Sequence, residues 1–277
     1  MKNMTQDERL LYLIESLRAE SEQYGGISIP DGTEDRRRLL RALMNVRPPM
    51  PVDERTLKIQ DEYLRERARE KGIVGLSGIP TVREALQSAH PHGGAISIWQ
   101  GDITRLACDA IVNAANSQML GCFAPLHACI DNAIHTYAGV ELRAECHRQM
   151  EMLRKKHGAD YEQPTAEPML TDAYNLPSRK VVHIVGPIVD ERLTPAHEAA
   201  LADCYKNTLD MCREYGLESV AFCCISTGVF RFPNARAAEI AVQTASGWLS
   251  RHEGAVKRVI FNVFKDEDKA HYEALLS

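Results

Sequence analysis

Apolar residues recur at helical spacing from the start of the chain. Leu10, Leu11, Leu13, Ile14 and Leu17 form a stripe, and Thr5 and Glu8 precede it in capping-box order. Gly25-Gly26 and Pro30-Asp31-Gly32 break the pattern. A second helix is predicted over Glu34–Asn45, stopping before Pro48-Pro49, and a third over Asp53–Lys71. The third is dense in charge, and Glu62, Arg65, Glu66, Arg67, Arg69, Glu70 and Lys71 read as a solvated face. Thr81 and Glu84 form a second capping box ahead of a short fourth helix. His90-Pro91-His92-Gly93-Gly94 reads as a boundary turn, which divides the chain into a helical extension over 1–90 and a second unit over 91–277.

Beyond that turn the period changes. Ala95–Trp99, Ala110–Asn113, Val181–Val185, Val220–Ile225 and Val259–Val263 are short apolar runs rich in β-branched residues. Helical stretches are predicted between and after them, over Ile130–Ala138, Glu141–Lys156, Pro195–Tyr215, Ala235–Arg251 and Asp266–Leu275. Strands alternating with helices imply an α/β fold, with a largely parallel sheet covered on both faces. Ligands of such sheets bind beyond the C-terminal ends of the strands, so the residues that follow each strand are the candidates for function.

Composition narrows the partners. Hydrophobic residues make up 44% of the 277 and charged residues 26%, which excludes a disordered, collagen-like or coiled-coil chain. No apolar run reaches about 18 residues, so neither a membrane span nor a membrane partner is expected. The first residues turn acidic at Asp7 and Glu8 without an apolar stretch, so no secretory signal is expected. A net charge of −5 argues against nucleic acid, which selects a basic face, but leaves room for a ligand with a few phosphates. Eight cysteines in a long chain without an export signal read as reduced thiols of a cytoplasmic protein. Cys204, Cys212, Cys223 and Cys224 fit that reading because they fall in apolar patterns, whereas Cys122 and Cys129 do not.

Four of the five strands are followed by segments of interest, several of them polar and glycine-containing loops. Gln100-Gly101-Asp102-Ile103-Thr104 follows the first and Asn113-Ala114-Ala115-Asn116 closes the second. Ser226-Thr227-Gly228-Val229-Phe230 follows the fourth, and Phe264-Lys265 the fifth. Any one of these taken alone reads as a turn, but several on one sheet edge suit a nucleotide. The Ser226–Phe230 loop has a glycine that lets backbone approach a phosphate, and no Walker Gly-Lys-Ser/Thr follows it. Asn113 and Asn116 offer amides to sugar hydroxyls, Asp102 can accept from an exocyclic amine, and Phe264 can stack on a base.

Cys122, His127 and Cys129 have the spacing Cys-x4-His-x-Cys. Two thiolates and an imidazole suit zinc and leave a fourth position for water or substrate. No Cys-x-x-Cys pair is present, so spacing alone is weak evidence, and two thiols and an imidazole within eight residues also read as a chance grouping. Asp131 follows on the next helix and can serve as a base; His135, one turn on, reads as a packing residue.

Together these segments resemble the macrodomain family, and the resemblance covers nearly the whole chain. Asp131-Asn132-Ala133-Ile134-His135-Thr136-Tyr137-Ala138-Gly139 resembles the MacroD-type segment, in which the aspartate is catalytic. The glycine-rich loop that usually precedes that aspartate is replaced by Cys122–Cys129, similar to the zinc-containing macrodomains of microbes, which also carry a helical N-terminal extension. The resemblance implies a three-layer αβα sandwich around a mixed six-stranded sheet, with ADP-ribose bound at the strand ends. It implies that Asp102 and the Ile103 backbone hold adenine, that Phe264 flanks it, and that Ser226, Thr227, Gly228, Val229 and Phe230 wrap the diphosphate. Asn116 and Asn113 then reach the distal ribose, beside Zn2+ on Cys122, His127 and Cys129.

The implied activity is removal of mono-ADP-ribose from modified protein side chains, with acidic residues as the expected attachment, and with Asp131 and Asn116 catalytic. The implied partners are a lipoate-carrier protein as target and a sirtuin-type transferase. Two thiolates donate charge to zinc, so its expected part is to orient the ribose while Asp131 takes the proton. Two alternatives use the same loops: a module that reads ADP-ribose without chemistry, and a hydrolase of free derivatives such as O-acetyl-ADP-ribose.

Overall fold

The computed structural model describes residues 4–277. Four helices come first: α1 (Gln6–Ala19), the single turn α2 (Glu22–Gly25), α3 (Thr33–Val46) and α4 (Glu54–Lys71). The Thr5/Glu8 capping box forms, with the Glu8 amide donating to Thr5 Oγ1 and the Thr5 amide to the Glu8 carboxylate. Asp53 caps α4 by accepting from the Thr56 amide at 3.0 Å. The α1 stripe (Leu10, Leu13, Ile14, Leu17) meets Leu40, Leu43 and Met44 of α3 and Ile59, Tyr63 and Leu64 of α4. These side chains form an apolar core of their own.

The rest of the chain runs β1 (Val74–Gly75), α5 (Val82–Leu86), β2 (Ile96–Gln100), β3 (Leu106–Ala107), β4 (Ala110–Ala115), α6 (Ile130–Ala138) and α7 (Val140–His157). Then come β5 (Met169–Asp172), β6 (Lys180–Val185), α8 (Pro195–Glu214), β7 (Ser219–Phe222), α9 (Asn234–Arg251), β8 (Arg258–Val263) and α10 (Asp266–Leu276). Six strands make the main sheet in the order β2-β8-β7-β4-β6-β5, all parallel except β5 against β6. β1 and β3 pair separately in a two-residue parallel ladder.

This is a mixed α/β sheet with both faces covered. Successive residues of β4, β6, β7 and β8 are buried, as strands sandwiched between helices must be. β5 lies outside the five strands read from the apolar runs. It is a four-residue edge strand, Met169-Leu170-Thr171-Asp172, that buries one face only and so lacks the continuous apolar signal of its neighbours. Ile79 and Val82 pack in the core of the sheet. The two apolar cores therefore part between Lys71 and Val74, well before the turn at 90–94.

The parallel strands point one way, so their C-terminal exits line one edge. In spatial order they deliver Gly101-Asp102 after β2, Phe264 after β8, Ser226–Phe230 beyond β7, Asn116 after β4 and Gly186 after β6.

Candidate active site

One end of this edge is built around Asp102. Its Oδ1 accepts from the Thr104 amide at 3.0 Å and from Thr104 Oγ1 at 2.6 Å, and its Oδ2 lies 2.5 Å from Lys71 Nζ. Burial would push this carboxyl up, but the Lys71 ammonium and the Thr104 hydrogen bonds outweigh it and hold the pKa below the ordinary carboxylate value. Ile103 is buried in the turn that follows. Phe264, one strand over, is 77% exposed at the tip of β8. The Gln100 side-chain amide steadies that corner by donating to the Phe264 carbonyl at 3.3 Å and to Asp266 at 2.7 Å.

The middle of the edge is the Ser226–Phe230 loop. Ser226 has a φ of +65°, and the loop closes by the Phe232 amide donating to the Ser226 carbonyl at 3.0 Å. Thr227 Oγ1 donates to the Cys224 carbonyl at 3.0 Å, while Gly228 has open space around it and Val229 is exposed. The neighbouring exit is tied in by the Val189 amide, which donates to the Phe230 carbonyl at 2.9 Å. Gly186 must lack a side chain because a Cβ there would overlap Ser226 Oγ. α9 starts only at Asn234, so an anion here would rest on loop amides rather than on a helix N-terminus.

The other end holds Asp131, 5% exposed in the first turn of α6. Asn113 Nδ2 donates to its Oδ1 at 2.8 Å and Asn116 Nδ2 to its Oδ2 at 3.4 Å. His135 Nε2 is 3.5 Å from Oδ1. Burial pushes the Asp131 carboxyl up to about 6, against the pull of Asn113 and of Arg143. Asn113, expected at a sugar hydroxyl, is instead fully buried, and its amide orients Asp131. The same Nδ2 lies 3.0 Å from His183 Nδ1. One NH2 group thus donates to two acceptors, which puts the His183 proton on Nε2, facing Thr171 Oγ1 at 3.0 Å. Burial pushes His183 down to about 3, so the ring is neutral.

Cys122, His127 and Cys129 converge, with their ligand atoms within 4.8 Å of one another and Cys122 Sγ 3.5 Å from His127 Nδ1. A tetrahedral ion with Zn–S near 2.3 Å and Zn–N near 2.0 Å would separate such a pair by about 3.5 Å, so the Cys122–His127 pair fits a zinc-sized ion. Cys129 caps α6 by accepting from the Asn132 amide at 3.4 Å, a place that favours a thiolate. Without a cation its thiol is pushed up to about 12, chiefly by burial and then by the charges of Cys122 and Asp131. Gly121, at a φ of +80°, lets the loop cross the His135 ring at a distance no Cβ would allow. His135, Cys146 and His183 also lie close enough to share an ion. Both nitrogens of His183 already have partners, so this second group reads as support for Asp131.

The residues missed by the sequence reading are Asn132, beside Asp131, and three more from α3 and α7. Asn132 is fully buried and donates to the carbonyls of Cys122 (3.4 Å) and Ala124 (3.0 Å). From α3, Arg41 reaches Asn132 Oδ1 at 2.7 Å and the His127 carbonyl at 3.0 Å, and Asn45 accepts from the Leu126 amide at 3.0 Å. Arg143 of α7 covers the Phe123 ring at 4.2 Å and donates to the carbonyls of Leu120, Met44 and Arg47. Only tertiary structure assembles the contacts of Arg41, Asn45 and Arg143, and no local motif marks those three residues.

Such a molecule is an α/β protein with an exposed aromatic ring at one end of a long sheet edge and a buried carboxylate beside metal-type donors at the other. The Macro domain family model matches residues 112–241. A protein-ADP-ribose hydrolase of Treponema medium is 47% identical over 99% of this chain and 100% of its own length. One of Staphylococcus aureus is 39% identical over 97% of this chain and 95% of its own. The Trypanosoma brucei macrodomain in complex with ADP-ribose superposes with a TM-score of 0.62 at 28% identity, covering 86% of this chain and 95% of that one. The chain belongs to the macrodomain family.

Proposed function

We propose that the protein is a protein-ADP-ribose hydrolase that removes mono-ADP-ribose from modified side chains, with a zinc ion on Cys122, His127 and Cys129. The observation that carries this is the buried Asp131 carboxylate, oriented by the Asn113 and Asn116 amides two residues beyond a converged Cys/His/Cys set. Full-length similarity to proteins named for that activity supports it.

ADP-ribose lies along the sheet edge. Asp102 accepts from the adenine amine, Phe264 stacks on the base, the amides of residues 226–230 hold the diphosphate, and the distal ribose rests at Asn116. Zinc on Cys122, His127 and Cys129 would supply a fixed positive charge that orients the ribose hydroxyls. Asp131 takes one proton from a water whose oxygen bonds to the anomeric carbon, as the bond from that carbon to the protein side chain breaks. With an acidic side chain as attachment the leaving group departs as a carboxylate, and Asp131 returns its proton to solvent. The target is a lipoate-carrier protein modified by a sirtuin-type transferase, a reading supported by family resemblance. A reducing cytoplasm suits the metal thiolates. No helix among the described residues is long and apolar enough to cross a membrane.

The test is incubation with a mono-ADP-ribosylated protein, with and without a chelator. Release of ADP-ribose that stops with the chelator and returns with zinc is the expected result. Binding without release would establish a reader, and release from O-acetyl-ADP-ribose alone would establish the free-ligand hydrolase.

A further inference from the structure

Lys71 is the last residue of α4, in the helical extension, yet its ammonium sits in the adenine corner of the site. It lies 2.5 Å from Asp102 Oδ2, donates to Thr104 Oγ1 at 2.9 Å, and stands 3.5 Å above the centre of the Tyr137 ring. Tyr137 belongs to α6, the helix that carries Asp131. The position is built. The C-terminus of α4 favours a cation, the ring face attracts one, and Arg105 Nε locks the next turn by donating to the Gly72 carbonyl at 2.7 Å. β1 then pairs with β3 directly after the Asp102 turn, with Val74 against Leu106 and Gly75 against Ala107.

A carboxylate has about four lone-pair directions. Thr104 takes both on Oδ1 with its amide and its hydroxyl, and Lys71 takes one on Oδ2. A single acceptor direction remains, and it is on Oδ2. Without Lys71 nothing holds Oδ2 in place, and the carboxylate can turn about the Thr104 bonds.

We infer that Lys71 is a positioning residue through which the helical extension sets nucleobase specificity: it fixes the one free acceptor direction of Asp102 where an exocyclic amine can donate. This rests on the reading of Asp102 as the adenine acceptor. It gives the extension a part in ligand choice that a bundle packed on the outside of the sheet would not have.

The experiment compares the affinity of the full-length protein for ADP-ribose and for its hypoxanthine analogue, in which a carbonyl replaces the amine. The unsubstituted protein should prefer adenine by about 10-fold or more, the scale set when a hydrogen-bonding site meets a ligand lacking its partner. Lys71→Met should weaken ADP-ribose binding by about 10-fold and shrink that preference to about 2-fold, because a charge-assisted bond is worth about 1.5 kcal/mol or more. Lys71→Arg, which keeps the charge, should recover most of the preference. If Lys71→Met weakens both ligands equally, or neither, the preference survives and the inference is overturned. If the unsubstituted protein shows no preference, the adenine role of Asp102 falls first and the inference with it. The ratio is internal to each variant, so a general loss of folded protein cannot imitate the expected result.

Discussion

The two ends of the sheet edge are built on opposite plans. At the end proposed for the sugar the Asp131 carboxylate is withdrawn from water, and its oxygens are held by Asn113 and Asn116, with His183 and Thr171 behind. At the end proposed for adenine Phe264 stands 77% exposed, and Asp102 is held by an ion pair and a turn. Chemistry needs a fixed, desolvated group, because a proton acceptor must be at hydrogen-bond distance when water attacks. Recognition of a flat base gains from exposed apolar surface that the ligand covers on arrival. On the proposed function, the difference places turnover at one end of the site and affinity at the other.

Three measurements test that separation, the largest effect first. Asp131→Ala, with ADP-ribose affinity and metal content retained, should lower turnover by about 10²- to 10⁴-fold, the range of a general base. Unaltered turnover on a modified protein would leave the sugar end without its assigned base. Asn132→Ala removes the side chain that binds the Cys122 and Ala124 carbonyls and receives Arg41. Such supporting contacts are worth about 10- to 100-fold in metal affinity, so zinc competition against a chelator should shift by about that much. Phe264→Ala should raise KM about 5- to 10-fold through lost stacking, with a much smaller change in saturating turnover. A fall in turnover that exceeds the rise in KM would join the two ends that the comparison separates.

The helical extension bears on both ends, although its core is separate. Arg41 and Asn45 of α3 hold the metal-type loop, and Lys71 of α4 holds Asp102. These contacts are polar and directional, and they place loops rather than add to a shared apolar core. Their residues look ordinary in sequence. Lys71 ends a run that reads as a solvated face, and it is the convergence of Asp102, Thr104 and Tyr137 on its ammonium that gives it a role.

Asn113 makes the same point from the other side. The sequence reading set it at the end of a strand, where an amide suits a sugar hydroxyl, but the strand runs on to Ala115. Burial in β4 turned it inward, and Asp131 and His183 became its acceptors. β5 escaped the apolar pattern because an edge strand buries one face. Cys122, His127 and Cys129 were visible as a spacing with two readings; their convergence depends on Gly121 crossing the His135 ring and on the polar grip of α3.

Periodicity and capping residues, being local, determined where most helices and strands begin and end, and the order of strands and helices determined which loops share an edge. Which side chains face one another across that edge was decided only by tertiary packing. Hydrogen bonds between residues some ninety positions apart, such as Arg41 with Asn132 and Asn45 with Thr136, depend on how two separate cores dock, and no local pattern records that docking.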